Sequence, residues 1–135
     1  MATKKFRGNY KSLAKIGAFV ISQAKLVGLN DQDIYNVQLA VDEACSNIIE
    51  HAYGGENIGD IVCTCSAYPN QLEILLIDHG QKFNPQQVKR PKVGAPIDEY
   101  GPRGAGLYLI KNIMDDVDFE FFEGETRLRM IKNKN

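Results

Sequence analysis

The first stretch with side chains suited to chemistry pairs a carboxylate, Glu43, with an amide, Asn47, within a helical segment. At about 100° per residue, side chains four positions apart project only about 40° from each other. A carboxylate can accept a proton, and an amide oxygen beside it can bind a hard cation such as Mg²⁺. The same stripe lies nearly opposite the apolar face of the helix, so it also fits an ordinary solvated surface.

The second stretch is Asp78-His79-Gly80, which closes an apolar segment with the alternation of a strand. Asp78 has the parity of Leu72 and Leu76, so we expect it to face the same buried side of the sheet. A buried carboxylate needs a hydrogen-bond donor. The exocyclic amine of a purine would serve, and Gly80 would let the backbone approach the ring closely. An Asp-x-Gly turn at a strand end explains the same residues without a ligand.

The third stretch runs from Gly101 through Arg103, Gly104 and Gly106 into a helix. Glycines at a helix start expose backbone N–H groups, which together with the helix dipole form an anion site. Arg103 adds a charged donor for phosphate. No strand immediately precedes the stretch, so it is neither a phosphate loop ending in Gly-Lys-Ser/Thr nor a dinucleotide-binding fingerprint. By itself, a Gly-x-Gly before a helix does not establish a phosphate site.

The elements that must position these residues follow from the hydrophobic period, which changes between helical and alternating along the chain. It predicts helices over 10–28, 31–53 and 104–116, and strands over 60–68, 71–78, 117–123 and 126–132. Grouped helices and neighbouring antiparallel strands predict an α+β fold. We expect a two-layer α/β sandwich, with the helices on one face of a mixed, mostly antiparallel sheet. The Pro- and Gly-rich stretch over approximately 80–103 is long for a simple connection and is typical of a lid over a site.

Composition narrows the class of protein further. The 135 residues suit one domain spanning 1–135, and 16 basic against 17 acidic residues argue against a direct nucleic-acid partner. No apolar run approaches the roughly 20 residues that span a bilayer, so we expect no membrane partner. Cys45, Cys63 and Cys65 cannot all pair within one chain, and we expect them to be core thiols. These features predict a cytoplasmic protein.

The order of the three stretches resembles the Bergerat-type ATP-binding fold of the GHKL superfamily, most closely its anti-sigma-factor serine kinase branch, the RsbW-like proteins. Residues 40–53, which contain Glu43, Asn47 and a trailing His-Ala-Tyr, resemble that branch's N box. Residues 78–85 resemble its G1 box with the adjoining Phe-Asp-Pro element. Residues 103–110, followed by Met-Asp-Asp-Val, resemble its G2 box and the helix after it. The resemblance spans nearly the whole chain.

The resemblance implies roles for the N-box and G1-box residues. Glu43 would be the general base that takes the proton of a serine or threonine hydroxyl. Asn47 would bind the Mg²⁺ that bridges the ATP phosphates. Asp78 would accept a hydrogen bond from the adenine amine, with Gly80 beneath the ring. His51 is interpreted as a structural residue at the helix end.

The resemblance also implies roles for the G2-box residues. Gly104 and Gly106 would offer backbone N–H groups to the phosphates, and Arg103 could clamp the terminal phosphate. The sequence departs from the family pattern at two positions. Lys82 stands where the G1 box of the superfamily often has a second glycine, and Asn84 replaces the aspartate of Phe-Asp-Pro.

The function that follows is an ATP- and Mg²⁺-dependent serine/threonine protein kinase acting as an anti-sigma regulatory factor. Its substrate would be a small anti-anti-sigma protein of the STAS type, and it would hold a sigma factor while that antagonist is phosphorylated. One alternative is a non-catalytic ATP-binding module that sequesters a partner, and another is a detached histidine-kinase ATPase domain. Glu43 beside Asn47 favours the kinase, because pure binding needs no base. Whether the apolar helix faces also form a homodimer stays open.

Overall fold

The computed structural model describes residues 1–80 and 104–135. The predicted lid therefore lies outside the described residues, except for Gly80. The elements are β1 (Ala2–Arg7), α1 (Lys11–Val27), α2 (Asp31–Asn47), β2 (Asp60–Ala67), β3 (Gln71–Asp78), α3 (Gly104–Ile113), β4 (Asp116–Phe122) and β5 (Glu125–Asn133), with a π turn at Ile48–Ala52.

The five strands form one sheet in the order β1-β2-β3-β5-β4, and each neighbouring pair is antiparallel. Along β3 every second residue is buried, and its buried side chains pack in one core with those of α1 and α2. The helices therefore cover one face of the sheet, which confirms the predicted two-layer α+β sandwich. Within the described residues every strand pair is antiparallel, including the pairs that β3, the strand with Asp78, makes with β2 and β5.

Local signals in the sequence set the ends of the helices and hairpins. Gly28 ends α1 in a left-handed conformation, with φ of 86°, and the Asn30 side chain caps α2 by accepting from the Asp33 N–H at 2.8 Å. The β2–β3 hairpin closes through the Tyr68 N–H and the Gln71 carbonyl at 2.9 Å. Gly124, with φ of 71°, turns β4 into β5. These turns confirm the predicted hairpins.

The helix predicted over 31–53 is continuous but changes its winding after Asn47. Residues Ile48–Ala52 form a π turn, in which the Tyr53 N–H donates to the Ile48 carbonyl at 2.9 Å, five residues back. Wider winding rotates the residues after Asn47 away from the direction that a regular α-helix would give them. The end of this helix consequently packs against a different element from the one that faces Asn47.

The largest differences from the sequence prediction are an additional strand, β1, and the end of α3, while the other elements differ by a few residues at their ends. β1 was not predicted, because Phe6 is the one large apolar side chain in this edge strand, whose other residues are two small and three basic ones. Helix α3 ends at Ile113 rather than 116. The Asp115 N–H donates to the Ile131 carbonyl at 2.9 Å, and Asp116 begins β4. These residues therefore pair with β5 instead of continuing the helix.

The ends of α2 and α3 that lie away from the predicted site are tied to β5 by a buried cation. Lys132 lies with its Nζ 3.9 Å from the Asp33 carboxylate and donates to the Ile113 carbonyl at 2.8 Å. Both charged residues are buried. A cation at the last carbonyls of α3 also suits the helix dipole. This contact links both helices to the same strand.

The three cysteines lie in the core and form no disulfide with one another, as predicted. Burial raises the pKa of the Cys45 thiol, so it stays protonated and behaves as a small apolar side chain. None of the helices in the described ranges has the length and hydropathy needed to cross a bilayer.

Candidate functional site

The first turn of α3 packs against the side chains of Glu43 and Asn47. A Cβ built on Gly106 would lie 3.1 Å from Glu43 Oε2 and 3.1 Å from Asn47 Nδ2. Both polar side chains are half-buried, whereas Glu50, further along the same stripe, is exposed. The stripe is therefore not a plain solvated face, because α3 covers the part that holds the carboxylate and the amide. Residue 106 must be small for this contact to form.

Asn47 has a buried oxygen that has no partner among the residues that the structure describes. Its Oδ1 is inaccessible to solvent and accepts no hydrogen bond within the described residues. A buried carbonyl oxygen left without a donor is costly, so the site favours a ligand that supplies positive charge or a proton. The hard oxygen of an amide suits Mg²⁺. Asn47 therefore fits the role of a magnesium ligand.

The described side chains near Asn47 do not supply a complete set of ligands for Mg²⁺. No group of three or more His, Cys, Asp or Glu residues there could hold a metal ion. This suits Mg²⁺ bound together with phosphates, since that ion commonly takes one or two protein ligands and completes its shell with phosphate oxygens and water.

Asp78 ends β3 on the helix-facing side of the sheet, as the alternation predicted. Its residue is only 3% exposed, and one carboxylate oxygen accepts the Gly80 N–H at 3.0 Å. Asp78 and Asn47 line the same small cavity, about 20 Å³ in volume, between α2, α3 and the sheet. Its remaining walls are apolar and comprise Ala44, Ile48, Leu107, Ile110, Phe119 and Leu128. The structure thus brings the N-box amide and the G1-box carboxylate to one place.

Thr126 is a site residue that sequence reasoning missed. It lies directly opposite Asp78 in the register of β3 and β5, faces the helices and is only 4% exposed. Directly opposed residues in antiparallel strands have neighbouring side chains. The hydroxyl can donate and accept beside the carboxylate. Only the strand order reveals this pairing, because 48 residues of chain separate the two positions in the sequence.

Gly80 lies against the end of the π turn. A Cβ at this position would lie 2.5 Å from the Ala52 carbonyl oxygen and 2.8 Å from the Ala52 Cβ, so no side chain fits. The predicted reason for this glycine was a close approach to a ring. The structure adds a second reason, which is the close approach of β3's last turn to the helix that carries Asn47.

The remaining predicted residues lie at or beyond the start of α3. Gly104 is the first residue of that helix, so its N–H and that of Gly106 belong to the positive end of the helix dipole. Arg103 lies outside the described residues. His51 is exposed on the π turn, with its Nε2 4.0 Å from the Glu50 carboxylate.

The chain is similar in sequence to known proteins. A family model described as "Histidine kinase-like ATPase domain" matches residues 6–132. The serine-protein kinase RsbW of Bacillus thuringiensis (strain Al Hakam) is 39% identical over 110 residues, which cover 78% of this chain and 68% of that protein.

Two solved structures share the fold. The SiaB–SiaC complex from Pseudomonas aeruginosa matches with a TM-score of 0.65 and 11% identity, over 97% of this chain and 88% of that one. The RsbU and RsbW domains of a Mycobacterium tuberculosis protein match with a TM-score of 0.63 and 12% identity, over 98% of this chain. This chain spans 32% of that longer one.

Proposed function

Because the chain belongs to the histidine kinase-like ATPase domain family, we propose that it is an ATP- and Mg²⁺-dependent serine/threonine protein kinase. One observation carries the proposal: α3 places its first turn in contact with both a carboxylate, Glu43, and an amide, Asn47. Phosphate held at the start of α3 would then lie beside a base and a cation ligand. The identity to a serine-protein kinase over most of the chain supports the same activity.

In the proposed reaction Glu43 is the general base. Its carboxylate accepts the proton of a serine or threonine hydroxyl as the hydroxyl oxygen forms a bond to the terminal phosphorus. The bond between that phosphorus and the ADP oxygen breaks, and its electron pair leaves with ADP. Half-burial against α3 suits Glu43 to this role, because it limits the positions that the carboxylate can take.

The phosphates are proposed to lie between α2 and the start of α3. The N–H groups of Gly104 and Gly106 donate to phosphate oxygens, and Arg103 clamps the terminal phosphate. Asn47 Oδ1 would hold Mg²⁺, and the bound ion would neutralise phosphate charge. The lack of a described donor for this buried oxygen supports the assignment.

The adenine is proposed to lie against the end of β3. Asp78 accepts a hydrogen bond from the exocyclic amine, while Gly80 lies beneath the ring and Thr126 offers a hydroxyl beside the carboxylate. The burial of Asp78 and Thr126 on one face supports this arrangement. A buried carboxylate in this position discriminates for an amine and against a carbonyl oxygen on the base.

The proposed protein substrate is a small STAS-type anti-anti-sigma protein, and the chain is proposed to bind a sigma factor while that antagonist is phosphorylated. Its likeness to serine-protein kinase RsbW supports this place in a regulatory switch. A homodimer, a single kinase domain over 1–135 and a cytoplasmic location stay predictions, as does the absence of direct nucleic-acid or membrane partners.

The experiment is a phosphotransfer assay on intact proteins. The purified chain is incubated with Mg-ATP and small STAS proteins encoded by its own genome, and peptide mass spectrometry locates any phosphoserine or phosphothreonine. We expect one STAS protein to be phosphorylated by the unmodified chain. ATP binding without transfer to any of them would favour the non-catalytic module instead.

A further inference from the structure

Tyr53, the last residue of the His-Ala-Tyr segment, connects the end of the π turn to two strands. Its hydroxyl accepts the backbone N–H of His79 at 3.0 Å and donates to the backbone carbonyl of Asp60 at 2.5 Å. The side chain is buried, with the residue only 6% exposed. One hydroxyl thus joins the residue after β3 to the first residue of β2.

The ring of Tyr53 occupies space that is open because residue 59 is a glycine. A Cβ on Gly59 would overlap the ring and hydroxyl atoms of Tyr53, and a Cβ on Gly8 would lie 3.5 Å from the ring. With the ring so confined, the position of the hydroxyl is defined by packing before any hydrogen bond forms.

The turn that carries Asp78 is held at three successive residues. The Asp78 carboxylate accepts the Gly80 N–H, the His79 N–H donates to Tyr53, and Gly80 packs directly on Ala52. Ala52 and Tyr53 are neighbours at the end of the helix that carries Asn47. The distance between the adenine end and the phosphate end of the site therefore depends on this contact.

We propose that Tyr53 is a positioning residue for nucleotide recognition, whose hydroxyl holds the Asp78-His79-Gly80 turn in the position that reads the adenine. The inference rests on the proposed function, because it takes Asp78 as the residue that recognises the base. In this proposal Tyr53 does not bind the nucleotide directly. It acts through the backbone of His79.

The hydroxyl is suited to this bridge because it stays neutral. Burial raises the pKa of Tyr53, and the negative charge of Asp78 raises it further, although the His79 N–H lowers it. A protonated hydroxyl can donate to one backbone group while it accepts from another. Phenylalanine at position 53 keeps the aromatic ring but leaves the His79 N–H and the Asp60 carbonyl without this partner.

The test is the variant Tyr53→Phe, with Tyr68→Phe as the matched control. The control also removes one tyrosine hydroxyl, but at the opposite end of β2, where the Tyr68 side chain is exposed. Calorimetry measures two Kd values for each protein, one for Mg-ATP and one for inorganic tripolyphosphate, which probes the phosphate end alone. We expect the Kd of Tyr53→Phe for ATP to rise about three- to tenfold, while its Kd for tripolyphosphate and both values of Tyr68→Phe stay unchanged.

Two results would overturn the inference. One is an ATP affinity of folded Tyr53→Phe equal to that of the unmodified chain, and the other is an equal loss for ATP and tripolyphosphate. The first would assign Tyr53 to stability alone, and the second would mean that the whole site had loosened. Should Tyr53→Phe fail to fold, amide hydrogen exchange on the unmodified chain decides: fast exchange of the His79 N–H would refute the bridge, and strong protection would support it.

The Asp78→Asn variant separates this inference from the proposed function. If the unmodified chain does not bind ATP, or if Asp78→Asn binds it equally well, the proposed function fails at the adenine site. If Asp78→Asn loses ATP affinity while Tyr53→Phe keeps it, only the positioning role fails.

Discussion

Replacing Gly106 by alanine adds one methyl group at the point where α3 meets α2. The new Cβ would lie 3.1 Å from both Glu43 Oε2 and Asn47 Nδ2, a few tenths of an ångström inside ordinary van der Waals contact. Both neighbouring atoms are at the ends of side chains rather than in the backbone. We therefore expect the two side chains to move and the helix to stay in place.

The effect on stability should be small because two contributions oppose each other. Alanine in place of glycine in a helix stabilises by about 0.5–1 kcal/mol. Moving two side chains away from their preferred rotamers costs roughly 0.5–1.5 kcal/mol each. We expect the free energy of unfolding of Gly106→Ala to stay within about 2 kcal/mol of that of the unmodified chain.

The effect on phosphotransfer should be larger, since the displaced atoms are the proposed base and the amide that binds the cation. Misplacement by about 1 Å can cost a hundredfold in rate, and here two groups move together by a smaller distance. We expect the single-turnover rate to fall at least about tenfold, which corresponds to roughly 1.4 kcal/mol in the barrier.

The assay pairs urea unfolding with rapid-quench phosphotransfer on the same preparation, and Gly17→Ala is the control. Gly17 lies within α1, and a Cβ there would have no neighbour within 4 Å. The control should gain about 0.5–1 kcal/mol in stability and keep its rate. A Gly106→Ala protein that transfers phosphate at the unmodified rate would refute the placement of Glu43 and Asn47 against α3.

Three further changes have expected outcomes. Asp78→Asn should weaken ATP binding at least tenfold in calorimetry, about 1.4 kcal/mol or more, because the adenine amine loses a charged acceptor. Lys132→Met should destabilise the fold by about 3–5 kcal/mol in urea unfolding, since it leaves Asp33 buried without its cation, and adding Asp33→Asn should restore part of that loss. Asp60 is partly desolvated, which raises its pKa, but hydrogen bonds from two basic side chains of β1 outweigh this and hold the pKa below its ordinary value of 3.8. Its contribution to stability is therefore present above that value and lost as the pH falls through the lower folded pKa, so Asp60→Asn should flatten the decline in unfolding free energy as the pH falls below about 4.

The sequence predicted most of the fold because its periods are clear where elements are half-buried. The strand β3 alternates cleanly, and this alone oriented Asp78 toward the helices before any contact was known. Edge strand β1 escaped prediction because it meets the core mainly through Phe6, which packs beside Phe19 of α1 with ring centroids 6.2 Å apart. A strand with one partly buried apolar side chain does not show a hydrophobic period.

The parts of the site that sequence reasoning missed depend on contacts between distant segments. The role of Thr126 follows from strand register, and the contacts of Tyr53 follow from the π turn that rotates the helix end toward β3. The sequence pattern was read at 3.6 residues per turn, which does not point Tyr53 toward β3. The sequence does not show the π turn, because tertiary packing decides where the winding changes. The sequence pattern also fitted a solvated Glu43, because the helix that covers this residue begins 61 positions later, at Gly104.

The most direct measurement of the central claim is single-turnover phosphotransfer by Glu43→Gln from Mg-ATP to the STAS substrate. Glu50→Gln serves as the control, since Glu50 is a second glutamate near the end of the same helix and is exposed. We predict that Glu43→Gln binds ATP with an unchanged Kd and transfers no phosphate, whereas Glu50→Gln transfers at the unmodified rate. Transfer by Glu43→Gln at the unmodified rate would contradict the assignment of Glu43 as the general base.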